Sequence, residues 1–118
     1  MTTKDVAQQL MTLLPQGKYD EIYDTLFHTE KVRHIEPQSP HFADLTGVLA
    51  IKEKDQAMGA NIASVEDLQV GEAVTSANHI ALPYKIAFTL KDGQSVTLDE
   101  IILYEVEEGK IISEQFFY

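Results

Sequence analysis

The chain has 118 residues, 44% of them hydrophobic, enough for one domain with one core and too apolar for a disordered chain. Its formal net charge is −10 and its pI is about 4.6, so nucleic acid and membrane are set aside as partners, since both present anions. There is no cysteine, which removes disulfides, thiolate nucleophiles and Cys-based zinc sites.

Residues 3–14 read as a helix, with Val6, Leu10, Leu13 and Leu14 forming one stripe, Thr2 or Thr3 capping it, and Pro15 with Gly17 ending it. A second helix repeats Tyr19, Ile22, Tyr23, Leu26 and Phe27 at spacings of three and four. Residues 32–36 form a short strand with Val32, His34 and Glu36 on one face; Pro37 ends it and residues 37–43 are a loop. A third helix opens near Thr46, with Val48, Ile51, Asp55, Met58 and Ile62 along one stripe.

Strands follow. Residues 64–75 are one, bent at Gly71; residues 79–91 are the next, with Ile80, Leu82, Tyr84, Ile86 and Phe88 alternating. Asp92-Gly93 reads as a two-residue hairpin turn, which sets Tyr84 opposite Ile101 and Ile86 opposite Asp99. A second turn at Glu108-Gly109 sets Ile101 opposite Phe116 and Asp99 opposite Tyr118. Together they predict an inner face of Ile101, Leu103, Ile112, Phe116 and Tyr118, with Asp99 and Glu114 set into it. The outer face then carries Ile102, Tyr104, Val106, Ile111 and Phe117. Three helices cannot cover both faces, so a homodimer through the outer one is expected.

The expected fold is α+β: three N-terminal helices packed on a curved antiparallel sheet, in the order α-α-β-α-β-β-β-β, as a single domain over residues 1–118. No basic flank precedes an apolar run at the N-terminus, and no stretch approaches the ~18 apolar residues of a membrane span, so a cytoplasmic protein is expected.

Four markers in series carry a resemblance: Gly17-Lys18-Tyr19-Asp20, Glu36-Pro37, Thr46-Gly47 before Ile51-Lys52, and residues 104–111. In their order and spacing the chain resembles the nuclear transport factor 2-like superfamily, most closely its SnoaL-like and ketosteroid isomerase-like branch. The resemblance implies a cystatin-like cone, a curved sheet around a long helix with a small molecule in its mouth. In ketosteroid isomerases a catalytic aspartate precedes a proline, and Glu36 holds that place. The tyrosine of those enzymes falls at Leu10 and their second, protonated aspartate at Ile101. One of three positions keeps its chemistry, which argues against steroid isomerisation and leaves another cofactor-free reaction open.

Glu36 is the first candidate base, because a carboxylate in an apolar cone gains affinity for protons; the alternative is a strand-end Glu in solvent. Glu114 is its candidate partner in acid–base work, or else a structural ion pair. Asp99 binds a polar ligand group or sits at the rim. Tyr84 and Tyr23 donate hydroxyls to a ligand or are core tyrosines, and Phe116 and Tyr118 give apolar lining. His34 lies beside Glu36, but two ligands do not make a metal site, so no metal and no cofactor is expected. Asp55 reads first as a solvated helix edge, with reach to the pocket as the alternative. The function expected is binding of a small apolar carbonyl compound, with isomerase, cyclase or hydratase chemistry; the alternative is a non-catalytic dimeric module for a ligand or protein.

Overall fold

The computed structural model describes residues 1–39 and 44–118. The expected loop is therefore seen only as far as Ser39, and His41 lies outside the described residues. Helix α1 (Thr3–Leu13) starts at Thr2, whose hydroxyl accepts from the Asp5 amide while the Asp5 carboxylate accepts from the Thr2 amide. A short 3-10 turn follows and ends at Gly17, whose φ of 67° suits a residue without a Cβ. Helix α2 (Tyr19–Leu26) comes next, and helix α3 (Val48–Gly59) starts one residue after Gly47.

The described strands are β1 (Arg33–Ile35), β2 (Asp44–Thr46), β3 (Ile62–Val70), β4 (Val74–Thr75), β5 (His79–Leu90), β6 (Ser95–Glu107) and β7 (Lys110–Phe117). They make one sheet in the order β2-β1-β7-β6-β5-β3, with β4 on β5. The α+β cone is as expected in its helices and its long meander. The sheet is mixed rather than wholly antiparallel, because β1 runs parallel to β7. That pairing brings the His34–Glu36 strand beside Glu114, with His34 opposite Glu114 in register. Strand β2, inside what read as a cap, extends the edge by pairing with β1.

Both hairpins differ from expectation by one residue. The Asp92-Gly93 loop has three residues: Leu90 donates to the Gln94 carbonyl, and Gly93 takes a φ of 90°. A three-residue loop with a left-handed last residue is a common hairpin form. It sets Tyr84 opposite Glu100 and Leu82 opposite Ile102. The Glu108-Gly109 turn does join Glu107 to Lys110, but the ladder then skips a residue, so Tyr104 rather than Leu103 lies opposite Glu114. The inner face of β6 is therefore Glu100, Ile102, Tyr104 and Val106, all buried, while Asp99 and Ile101 are exposed. On β7, Glu114 and Phe116 face inward as expected, and Ile111 replaces Ile112 there. The core gathers these with Val6 and Leu10 of α1, Ile22 and Leu26 of α2, and Ile51 of α3.

Candidate functional site

The helices leave one end of the sheet's concave face open, as a cavity of about 510 Å³. Most of its wall is apolar, including Ile22, Met58, Leu68, Ile86, Phe88 and Ile102. Its polar groups include Tyr23 from α2, His34 from β1, Lys54 and Asp55 from α3, Tyr84 from β5, Glu100 from β6 and Glu114 from β7, with Glu36 just beyond β1. On α3, residues 51, 54, 55 and 58 share one stripe, which is how Lys54 and Asp55 point inward beside Ile51.

Four of these groups form a buried chain. His34 Nδ1 lies 2.7 Å from Glu114 Oε2, Lys54 Nζ lies 2.5 Å from His34 Nε2, and Lys54 Nζ donates to Glu36 Oε2 at 3.0 Å. An ammonium has no acceptor, so His34 Nε2 must offer its lone pair, and the imidazole is the neutral Nδ1–H tautomer donating to Glu114. All four residues are buried. Burial of an ammonium is tolerable only with such partners; removing one leaves an unpaired charge at a typical cost of about 3–5 kcal/mol. The Phe116 ring packs on His34 at 4.9 Å and lies 5.8 Å from Lys54 Nζ.

Two further arrangements complete the wall. Tyr23 donates its hydroxyl to Asp55 in a short hydrogen bond. Burial pushes the Asp55 carboxyl up despite that bond, with Glu114 adding to the rise. The Tyr19 and Tyr84 hydroxyls share one hydrogen bond at 2.7 Å. Burial raises both phenols, so both stay protonated near neutrality.

Glu100 stands apart. It is 4% exposed and faces the cavity, and among the described residues nothing hydrogen-bonds to its carboxyl. Burial, and then the nearby charge of Glu36, push it up to about 7 against the pull of Lys54; Glu114 adds a smaller rise.

Of the residues singled out from sequence, Glu36, Glu114, His34, Tyr23, Tyr84 and Phe116 line the cavity. Asp99 does not: the one-residue change at the first hairpin puts it on the outer face, exposed and paired in register with Lys85. Tyr118 follows the end of β7, 41% exposed and outside the cavity wall; partial burial, and then the charges of Glu36 and Glu100, raise its phenol. Asp55 is a wall residue, not a solvated edge. Leu10 is buried in the core, and Ile101 points outward. One residue before Ile101, Glu100 faces the cavity. Lys54 and Glu100 were missed. A signal for Glu100 was present in β6 itself, where Leu98, Ile102, Tyr104 and Val106 alternate with Thr97, Asp99, Glu105 and Glu107. Among the described residues no cluster of His, Cys, Asp and Glu is arranged to hold a metal ion.

This is the cone of a cystatin-like fold. A protein of that fold from Xanthomonas campestris superposes with a TM-score of 0.74 at 18% identity, over 99% of this chain and 90% of that one. The SnoaL-like domain family model matches residues 1–118, and the chain belongs to that family. A protein from Mesorhizobium loti described as a SnoaL-like polyketide cyclase is similar over the whole of both chains, at 29% identity and a TM-score of 0.91. A protein from Catenulispora acidiphila with a ketosteroid isomerase-like fold, in complex with trimethylamine, gives 18% identity and 0.75 over 99% of this chain and 87% of that one. No curated protein matches the sequence.

Proposed function

We propose that the cone binds a small apolar carbonyl compound and catalyses a cofactor-free proton transfer on it, as an isomerase, cyclase or hydratase. The observation that carries this reading is Glu100, a buried carboxyl with no hydrogen-bond partner among the described residues, facing an apolar cavity, with a proton affinity near neutrality. A general acid or base works best when its pKa lies near the working pH. Its ionised oxygen takes a proton from the carbon next to the carbonyl and returns it at another atom, so isomerisation or cyclisation consumes nothing besides substrate and hydration consumes one water from solvent. In the Tyr19–Tyr84 pair one hydroxyl donates to the other, which leaves one O–H for the substrate oxygen as charge develops there. Glu36, expected from sequence to be the base, is held by Lys54; its charge favours the proton on Glu100. The neighbour described as a polyketide cyclase supports the same class of chemistry.

The test is exchange of α-protons for deuterium in a panel of apolar ketones, followed by NMR. Wild type should catalyse exchange with a rate rising through pH about 7. Glu100→Gln should lose about 10²–10⁴-fold. Equal rates in the two proteins would discard Glu100 as the proton carrier.

A second reading is a dimeric module that binds without catalysis. It is favoured by one feature of the outer face, where Ile101 and Phe117 are cross-strand neighbours, 43% and 47% exposed. Ile102, which the sequence placed on that face, is buried and plays no part in it.

A further inference from the structure

We infer that the cavity is built for an organic cation: the compound it takes carries an amine or ammonium group that lies against Glu100. This rests on the reading of the cone as a small-molecule site and adds the charge of its occupant.

The inference follows from how the charges are distributed around the wall. Four carboxyl groups face the cavity, Glu36, Asp55, Glu100 and Glu114, against one ammonium, Lys54. Lys54 is already committed to Glu36 at 3.0 Å and to the neutral His34. Through His34 it also supports Glu114, and Asp55 accepts from Tyr23. Glu100 is the member left without a donor among the described residues, and as a residue it is only 4% exposed, with its carboxyl opening on the cavity. A carboxylate so placed is costly unless a charge or a donor is brought to it. An anionic ligand would add to the excess negative charge, whereas a cation offsets it at short range inside a low-dielectric wall. The rings of Tyr19, Tyr84 and Phe88 belong to the same wall, and aromatic faces attract desolvated cations.

Binding is coupled to the proton on Glu100. The ionisable groups near that carboxyl are Glu36 and Glu114, which favour the proton, Lys54, which opposes it, and the neutral phenols of Tyr19, Tyr84, Tyr104 and Tyr118. A bound cation acts in the direction of Lys54, so it expels the proton and binds best where Glu100 is ionised.

Two probes of nearly equal shape separate charge from fit: benzyltrimethylammonium and its neutral isostere neopentylbenzene, titrated into wild-type protein by calorimetry. At pH 8 the cation should bind at least about tenfold tighter than the hydrocarbon. The margin should shrink at pH 5.5. At pH 7, comparison of two buffers with different ionisation heats should show proton release with the cation only. Glu100→Gln should remove the margin while keeping hydrocarbon binding. If the hydrocarbon binds as tightly as the cation at pH 8, or no proton is released, the charge inference is overturned and the apolar cavity stands. If neither probe binds, the small-molecule reading falls with it.

Discussion

Glu100 and Lys54 show what burial does to ionisable side chains of opposite sign. Lys54 has two acceptors folded in beside it, His34 Nε2 and Glu36 Oε2. Glu100 has no donor beside it among the described residues, and burial pushes its folded-state pKa up from the usual 4.5 to about 7. The linkage has a definite sign. Below pH 4.5 the group is protonated in both states and costs nothing. Between 4.5 and 7 the folded state binds the proton more tightly than the unfolded state, so stability falls as pH rises. Above 7 the loss is complete. Glu100→Gln removes this penalty. In urea denaturation the variant should match wild type at pH 4 and exceed it at pH 8 by on the order of 2 kcal/mol, allowing for water at the cavity mouth. A constant difference across that range would show that the carboxyl is not held as described.

At the scale of elements, two turns decide which side chains reach the cavity. Each uses a glycine at positive φ, Gly93 at 90° and Gly109 at 77°. Their surroundings differ. A Cβ on Gly93 meets nothing within 4 Å, whereas one on Gly109 lies 2.8 Å from the Met1 carbonyl oxygen. Gly93→Ala should cost only its backbone strain, about 1–2 kcal/mol. Gly109→Ala should cost more, because the N-terminal residue must also move. Chemical denaturation of the two variants side by side checks this; equal losses would mean that the terminus yields freely. Neither change shifts the register of β6 in its own right, because the inward face of that strand is anchored by Ile102, Tyr104 and Val106.

For the whole molecule, the charge of −10 and the apolar patch on the outer sheet pull in opposite directions. Net charge keeps copies apart at long range, and salt screens it within roughly 8 Å at physiological ionic strength. In the proposed dimer the Ile101–Phe117 pair would be a contact that both copies present alike. Sedimentation at physiological salt should show a dimer for wild type and a monomer for the double variant Ile101→Glu, Phe117→Glu. A monomeric wild type would remove the dimer from the proposal and leave the cavity untouched, since neither residue lines it.

The sequence by itself determined the three helices, the long meander, the inward set of β1, and Glu114 and Phe116 of β7, because each of those is written in a local period. Val32, His34 and Glu36 alternate, and all three are buried. It also singled out six residues of the cavity wall, from Tyr23 to Phe116. Tertiary structure alone decided the rest. A two-residue turn and a three-residue loop are both compatible with Asp-Gly, and the difference of one residue exchanges the faces of β6. The buried chain from Glu114 to Glu36 needs β1 to lie parallel to β7 with α3 across both, a meeting of residues 34, 36, 54 and 114 that no local spacing encodes. The proton affinity of Glu100 has the same origin, since it comes from burial and from the charges of distant segments brought within reach of it.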